Sequence, residues 1–338
     1  MWNSVRSRPF LPVLVGLLLM QPARLHAADS APRQPNILVI LTDQQHARML
    51  GCAGNSWLET PALDSLAATG ARFMRAYCVN PVCVPSRTGM FTGHTPARFG
   101  IESNSATATV RMPAEVHEQG VGSRFREAGY DVAYAGKVHV VGGVGKLGFT
   151  ALEAGHGDDG TATASAAFLQ QPRDKPFLLV ASFVNPHDIC YLGKGGGGTD
   201  GENANIATAK ANVAAARKRP AGVSDEEFFA RLCPPLPENF GPQRDAPEVL
   251  RQREGKWNAE QWREYRWVYH RLTEQVDRDI GRVLEALRGA GLEENTLVVF
   301  TSDHGDMDGS HQFRNKGRFF EESVGVPLTP SQFLHQCS

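Results

Sequence analysis

The sequence lacks an excess of charge of either sign, which excludes one class of partners. Its 35 basic and 36 acidic residues give a formal net charge of -1 over 338 residues. Recruitment of nucleic acid or of an anionic membrane requires a field of one sign over a broad surface, so we expect neither as a partner. Any anionic ligand must therefore be bound by a few local groups.

Cysteine spacings typical of metal centres are also absent. No two of the six cysteines form a Cys-x-x-Cys pair, so a zinc or iron-sulfur site is not expected; the six are Cys52, Cys78, Cys83, Cys190, Cys233 and Cys337. In an exported protein, six cysteines suggest disulfide bonds. If Cys83 is chemically modified, five remain and at least one of them is unpaired.

Long apolar runs are missing after the N-terminus. Residues 10–20 form an apolar run behind Arg6 and Arg8, and small residues follow at 27–28. The run is too short to span a bilayer, and no later stretch approaches about 18 to 20 uncharged apolar residues. We therefore expect residues 1–28 to be a signal peptide. The protein is then exported to the periplasm or the extracellular space, with no integral membrane segment after cleavage; a retained N-terminal anchor is the alternative.

Alternating strand and helix patterns predict the fold class. Residues 36–41 form a continuous apolar run rich in β-branched residues, typical of a strand buried on both faces, and similar runs occur at residues 132–135, 177–184 and 297–300. Helical patterns cover residues 60–69, 121–128 and 259–289. This alternation predicts an α/β fold with a mainly parallel central sheet sandwiched by helices. The glycine-rich segment 192–205 is either a lid or an insertion.

Polar side chains follow each predicted strand. They are Asp43 and Gln44, Lys137 and His139, His187 and Asp188, and Asp303 and His304. Ligand-binding groups gather at the carboxyl ends of strands in α/β sheets. The first and last pairs offer mostly oxygen donors and one imidazole, which suit Ca²⁺ or Mg²⁺ better than zinc. An aspartate after a strand also serves as a helix cap, so spacing alone leaves both interpretations open.

The segment 83–93 carries the most specific signal. It reads Cys-Val-Pro-Ser-Arg-Thr-Gly-Met-Phe-Thr-Gly. Pro85 suits the first turn of a helix, Ser86 can satisfy an unpaired backbone donor there, and Arg87 places a permanent cation one turn from the sulfur. We therefore expect Cys83 at the positive start of a helix, where the pKa of a thiol is lowered. The alternative is an inert, buried cysteine before an ordinary helix.

This segment resembles the signature Cys-x-Pro-Ser-Arg-x-x-x-Leu-Thr-Gly of the formylglycine-dependent (type I) sulfatases of the alkaline phosphatase superfamily, with Phe91 at the leucine position. The chain is also similar to that family, in order and approximate spacing, at residues 36–44, 60–83, 136–139, 185–187 and 301–328. The resemblance implies an alkaline phosphatase/sulfatase-like fold. It also implies that a formylglycine-generating enzyme converts Cys83 to 3-oxoalanine (formylglycine).

The resemblance further implies the roles of the site residues. The expected metal ligands are Asp43, Gln44, Cys83, Asp303 and His304, with Gln44 where the family usually has a second aspartate. We expect the metal to be calcium, with magnesium the weaker candidate. The expected catalytic and sulfate-binding residues are Cys83, Arg87, Lys137, His139, His187 and Lys316.

Among these, His139 is the candidate base, and His187 or Lys316 the candidate proton donor to the leaving alcohol. We leave His311 outside the catalytic set. Asp306 and Asp308, which follow the second metal pair, are expected to be exposed, with a supporting position behind the metal ligands as the alternative.

The end of the sequence departs from the family pattern. We expect residues 34–328 to form the sulfatase N-terminal catalytic domain and residues 329–338 an atypical tail without a strand-like apolar run. In the family, another strand and a small C-terminal subdomain with an antiparallel sheet follow this point. The sequence therefore indicates a truncated product that lacks that subdomain, with a natural compact variant as the alternative.

The expected function is hydrolysis of a sulfate monoester, carried by a sulfated small molecule or carbohydrate, through formylglycine and bound calcium. One alternative is a phosphonate or phosphate ester hydrolase on the same fold, because these tetrahedral anions demand similar sites. The other is an inactive, truncated sulfatase homologue.

Overall fold

Strand β1 (Asn36–Asp43) lies inside a six-stranded sheet, as its continuous apolar run predicts. It pairs in parallel with β4 (Phe177–Pro186) on one side and with β5 (Thr296–Ser302) on the other. This computed structural model describes residues 34–332, apart from 156, 193–203, 242–244, 246 and 249–256. The proposed signal peptide, Cys337 and nearly all of the glycine-rich segment lie outside the described residues.

The outer strands complete the order β3-β2-β4-β1-β5-β6. Strands β2 (Asp131–Gly136) and β3 (Thr150–Ala151) continue the parallel pairing, whereas β6 (Leu328–Gln332) pairs antiparallel with β5. The prediction of a mainly parallel α/β sheet is confirmed.

The prediction that no strand follows residue 328 is wrong for residues 329–332. Thr329 and Ser331 are buried within β6 although neither is strongly apolar. The open edge of β5 offers unpaired backbone N–H and C=O groups, and a strand can pair with them without an apolar run of its own.

The described residues form ten α-helices. They are α1 (Pro61–Thr69), α2 (Cys83–Thr92), α3 (Ala106–Thr109), α4 (Ala114–Glu118), α5 (Val121–Glu127), α6 (Gly157–Leu169), α7 (Ala204–Ala216), α8 (Asp225–Glu227), α9 (Ala259–Gly289) and α10 (Glu321–Val324). Single turns of 3-10 helix occur at Gly51–Ala53, Pro96–Phe99, Val144–Leu147, His187–Tyr191, Glu293–Asn295 and Ser310–Gln312, and a π-helical turn at Phe228–Leu232. None of the described helices is long and apolar enough to cross a membrane.

Helix α9 begins where its sequence predicts. Asn258 Oδ1 accepts the backbone N–H of Gln261 at 2.8 Å, and Gln261 Oε1 accepts the backbone N–H of Asn258 at 2.9 Å. This reciprocal capping box satisfies two donors that have no partner inside the helix. Farther along, the Asp277 carboxylate accepts the backbone N–H groups of Ala62 and Leu63 and so ties α9 to the start of α1.

Helices cover both faces of the sheet. On one face, Leu38 and Ile40 of β1 pack in the same buried cluster as Val276 and Ile280 of α9. On the other, Leu41 of β1 packs in a cluster with side chains that include Phe91 of α2. The carboxyl ends of β1, β2, β4 and β5 therefore meet beside the start of α2, and the candidate site lies there.

Candidate active site

Helix α2 begins at Cys83, as predicted, with Val82 as its N-cap residue. The backbone N–H of Val84 is capped from outside the helix by Asn104 Oδ1 at 3.0 Å. The prediction that Ser86 caps the helix is wrong, because Ser86 Oγ donates instead to the backbone carbonyl of Asp303 at 2.5 Å. This hydrogen bond fixes the start of α2 against the end of β5.

The sulfur of Cys83 is fully buried among charged groups. It lies 3.0 Å from Lys316 Nζ, 3.3 Å from His304 Nε2, 3.8 Å from Asp43 Oδ1 and 3.9 Å from Lys137 Nζ. Burial and Asp43 raise the pKa of the thiol, but Lys137, Lys316 and His304 outweigh them and hold this pKa well below its usual value. This direction agrees with the lowered thiol pKa that the sequence predicts.

Arg87 organises the carboxylates beneath this sulfur. Its guanidinium is fully buried, donating from Nε to Asp303 Oδ2 at 2.7 Å and from one terminal nitrogen to Asp43 Oδ2 at 3.2 Å. Its other terminal nitrogen donates to Ser182 Oγ at 2.8 Å and to the Lys137 carbonyl at 3.0 Å. A planar guanidinium is suited to such fixed, divergent contacts, and here it joins the ends of β1, β2, β4 and β5.

Four side chains point one donor atom each toward a common centre. These atoms, from Asp43, Cys83, Asp303 and His304, all lie within 4.8 Å of one another, and all four residues are buried. His304 Nδ1 lies 2.9 Å from the Gly305 carbonyl, which leaves Nε2 facing the centre when Nδ1 carries the proton. Two carboxylates and an imidazole fit a divalent cation, because Arg87 already occupies the outer Oδ2 atoms and leaves both Oδ1 atoms inside.

Gln44 lies beside this centre with its side chain held by other groups. Its backbone N–H donates to Asp303 Oδ1 at 3.2 Å, and its φ of 68° is in the left-handed region. Its amide Nε2 donates to Asp306 Oδ2 at 2.7 Å, and its Oε1 accepts from the Cys190 thiol at 3.3 Å. The amide nitrogen is thus assigned to a carboxylate, so Oε1 is the atom with a lone pair left for a cation.

Two lysines and a histidine surround the carboxylate of Asp43. Lys137 Nζ lies 2.5 Å from Asp43 Oδ2, and Lys316 Nζ lies 3.8 Å from Asp43 Oδ1. Although burial opposes ionisation, Lys137, Lys316, His187 and Arg87 hold the pKa of Asp43 well below its usual value. Burial, Lys137 and Lys316 lower the pKa of His187 well below its usual value, so this imidazole is neutral near pH 7.

A cavity of about 450 Å³ opens next to these groups, and Lys137, His139, His187 and Asp188 lie in its wall. His139 is exposed, with a φ of 39°, and none of the hydrogen bonds described for residues 34–332 joins it to Cys83. The structure therefore brings Lys137, His187 and Lys316 to the buried centre and leaves His139 on the cavity wall.

The prediction that Asp306 and Asp308 are exposed is wrong. Both are buried. The Asp306 carboxylate accepts hydrogen bonds from Tyr265 and Gln44, and Asp308 forms an ion pair with Arg266 at 3.1 Å. Tyr265 and Arg266 lie on α9 and Gln44 follows β1, so local sequence could not reveal the burial. His311 lies on the turn Ser310–Gln312 and packs against Phe320, with ring centroids 4.7 Å apart.

Several supporting residues were not predicted from the sequence. Tyr134 and Ser182 bind Arg87, Tyr265 binds Asp306, and Tyr269 donates to the Gln44 carbonyl at 2.5 Å. The spacing of Tyr265 and Tyr269 places both on one face of α9, a signal that was available. The five cysteines within the described ranges are free thiols, so the disulfide expectation is not met there.

Known proteins are similar to this chain over most of its length. A Δ4,5-hexuronate-2-O-sulfatase from Bacteroides thetaiotaomicron is 30% identical, a match that covers 89% of this chain and 63% of the relative. An ulvan-active sulfatase from Formosa agariphila is 32% identical over 88% of this chain and 56% of its own. A solved structure of a 2-O GAG sulfatase superposes with a TM-score of 0.72 at 28% identity, covering 88% of this chain and 64% of the other.

The chain thus spans less than two thirds of the length of these relatives. The match to the sulfatase family model nevertheless runs over residues 35–328, which takes in β1, the start of α2 and the lysine at position 316. With the fold, the buried cysteine and the surrounding ionic groups in place, this match establishes that the chain belongs to the sulfatase family, within the alkaline phosphatase-like superfamily.

Proposed function

We propose that this protein hydrolyses sulfate monoesters through a formylglycine derived from Cys83, with a bound calcium ion. One observation carries the proposal. In a chain of the sulfatase family, the Cys83 sulfur lies between the ammonium groups of Lys316 and Lys137, at 3.0 and 3.9 Å, and beside the Asp43, Asp303 and His304 cluster. A nucleophile at this position would meet a bound anion where positive charge is already concentrated.

The two absent groups would supply distinct chemistry. Once residue 83 carries oxygen in place of sulfur, it would hold calcium together with Asp43, Asp303, His304 and Gln44 Oε1, and the ion would add positive charge beside the sulfate group. Formylglycine would supply a hydrated aldehyde, whose two hydroxyl groups would provide a nucleophile toward sulfur and a route for the release of sulfate.

The residues of the chain would bind and orient the sulfate group. Lys137 and Lys316 are 8% and 14% exposed, so their charges act in a poorly screened environment. Arg87 would hold Asp43 and Asp303 in place through their Oδ2 atoms. His187 directly follows β4 and lies with Lys137 in the wall of the cavity. Fixed charges of this kind stabilise a developing negative charge without reorganisation during the reaction.

Proton transfer would involve groups on both sides of residue 83. The leaving alcohol would take a proton from His187 or Lys316. His187 is neutral in the free site because of its burial and the two lysines, and a bound anion would offset the lysine charges and favour its protonated form. His139, on the wall of the cavity, is the proposed base that accepts the proton of the second hydroxyl.

The proposal extends to substrate, partner and location. Relatives named for a hexuronate and for ulvan favour a sulfated carbohydrate over other sulfate esters. A formylglycine-generating enzyme would be required as a partner. Export to the periplasm or the extracellular space, through the signal peptide at residues 1–28, belongs to the same proposal.

Paired assays would test this function. The full chain, co-expressed with a formylglycine-generating enzyme, is assayed with an aryl sulfate and with the matching aryl phosphonate and phosphate, alongside Cys83→Ser and the remote control Cys52→Ser. We expect sulfate ester cleavage that Cys83→Ser abolishes and Cys52→Ser retains. Preference for the phosphonate or phosphate would favour the other hydrolase, and absence of all turnover in converted, folded protein would favour an inactive homologue.

A further inference from the structure

The buried cluster has the dimensions of a four-coordinate metal site. From His304 Nε2, the distances are 3.3 Å to Cys83 Sγ, 3.8 Å to Asp43 Oδ1 and 3.5 Å to Asp303 Oδ1. Cys83 Sγ lies 3.8 Å from Asp43 Oδ1. Zinc-ligand bonds of about 2.0 to 2.3 Å in a tetrahedron place neighbouring ligands about 3.3 to 3.6 Å apart. These four distances lie within about 0.5 Å of that spacing and all pairs of donor atoms lie within 4.8 Å, so the cluster would contract modestly around such an ion.

The donor atoms are also oriented from behind. Arg87 binds Asp43 and Asp303 through their Oδ2 atoms, so each Oδ1 remains directed inward. The Gly305 carbonyl lies 2.9 Å from His304 Nδ1 and favours an inward lone pair on Nε2. Outer contacts that fix a ligand's direction in this way are a regular feature of protein metal sites.

The sulfur decides which metal this arrangement prefers. A set of one thiolate, one imidazole and two carboxylates is a zinc donor set, whereas calcium takes oxygen ligands. We propose that the protein with Cys83 still a thiol is a zinc-binding protein at this centre, and that conversion of Cys83 to formylglycine changes the preference to calcium. The first part concerns the unmodified chain. The second part rests on the proposed function.

The ligands come from three distant parts of the chain, which explains why cysteine spacing gave no indication of zinc. Asp43 follows β1, Cys83 begins α2, and Asp303 and His304 follow β5. The fold, and not a local motif, assembles the set.

Lys316 is the competitor for this ion. Its ammonium lies 3.0 Å from Cys83 Sγ and 3.8 Å from Asp43 Oδ1, so it already neutralises two of the donors. A zinc ion would have to displace or repel it. Removal of this ammonium should therefore strengthen zinc binding by about tenfold or more, although it removes a residue that the hydrolysis is proposed to need.

The test uses the full chain expressed without a formylglycine-generating enzyme, with the thiol at position 83 verified by mass spectrometry and metals removed by chelation. Zinc and calcium are titrated separately by calorimetry, and Co²⁺ is added as a spectroscopic probe. We expect zinc to bind at least 100-fold more tightly than calcium, and Co²⁺ to give a thiolate charge-transfer band with the strong visible absorption of a tetrahedral site.

Variants assign the binding to the cluster. Cys83→Ser should lose the charge-transfer band and at least tenfold in zinc affinity, Lys316→Ala should gain affinity, and Cys190→Ser, which removes a neighbouring thiol outside the donor set, should bind zinc as the wild type does. Equal zinc affinity in Cys83→Ser, or a band that disappears in Cys190→Ser, would overturn the inference. If converted protein cleaves sulfate esters while the thiol form binds no zinc, only this inference fails. Zinc binding without turnover after conversion leaves the first part standing and contradicts both the proposed function and the second part, which rests on it.

Discussion

Arg87 Nε lies 2.7 Å from Asp303 Oδ2, although the two residues are 216 positions apart in the sequence and both are fully buried. The same guanidinium binds Asp43 from its other edge. One side chain of α2 thus joins the two carboxylates at the ends of β1 and β5, within the cluster that includes Cys83.

The Arg87→Met variant should be less stable than the wild type. The substitution keeps most of the side-chain volume and leaves two buried carboxylates without their shared cation, so we expect a loss of about 3 to 5 kcal/mol in the free energy of unfolding, measured by urea denaturation. Arg98→Met, at an exposed arginine, provides the control and should change stability by less than about 0.5 kcal/mol. A loss for Arg87→Met no larger than for Arg98→Met would contradict the role given to Arg87.

Lys316→Ala should impair turnover far more than folding. Loss of an ammonium that faces position 83 and Asp43 should reduce kcat/KM for a sulfate ester by about 100-fold or more, which corresponds to about 3 kcal/mol of transition-state stabilisation. The matched control is Lys146→Ala, at an exposed lysine outside the site. Steady-state kinetics that place both variants within threefold of the wild type would remove Lys316 from the proposed machinery.

Chelation should destabilise the converted protein. If Asp43, Asp303 and His304 hold calcium, EGTA should lower Tm, and calcium at 100 times its Kd should restore about 2.7 kcal/mol of stability. Thermal unfolding over a calcium titration measures this effect. Asp303→Asn should reduce the shift, whereas Asp174→Asn, at an exposed aspartate, should keep it. A Tm independent of calcium would show that the cluster holds no calcium.

His270 should make the protein sensitive to acid. Burial lowers the pKa of this fully buried imidazole to about 4, and its Nδ1 and Nε2 lie 2.7 Å from the Arg266 carbonyl and 3.1 Å from Asn55 Nδ2, which suits the neutral form. Since the unfolded chain binds a proton below about pH 6.5 and the folded chain does not, the contribution is complete above that pH and declines toward pH 4.

His270 should therefore account for about 2 kcal/mol of stability lost between pH 7 and pH 5. His270→Gln, compared with the wild type by urea denaturation at both pH values, should show a correspondingly weaker dependence on pH, whatever its stability at pH 7. An unchanged difference between the two pH values would assign the acid sensitivity to other groups.

The sheet and the start of α2 could be predicted because their signals are local. The apolar run of β1, the polar residues at its end and the Cys-x-Pro-Ser-Arg segment each lie within a few residues of one another. The same reasoning failed for Ser86, Asp306 and Asp308, whose partners lie on α9 or follow β1 and β5.

Strand β6 shows the same limit in the sheet. Its pairing depends on the free backbone edge of β5, not on its own apolar content. The position of His139 on the cavity wall likewise depends on the path of the chain beyond β2, where its φ is positive. Contacts between distant segments decide these features, and a single sequence contains no direct record of them.

The chemical state of Cys83 in active enzyme tests the central claim most directly. After co-expression with a formylglycine-generating enzyme, trypsin should release residues 76–87, which contain both Cys83 and Cys78 and so include an unmodified thiol as an internal reference. Tandem mass spectrometry should locate an aldehyde at position 83 and a thiol at position 78, in protein that cleaves a sulfate ester in proportion to the converted fraction. A thiol at position 83 in fully active protein would contradict the account.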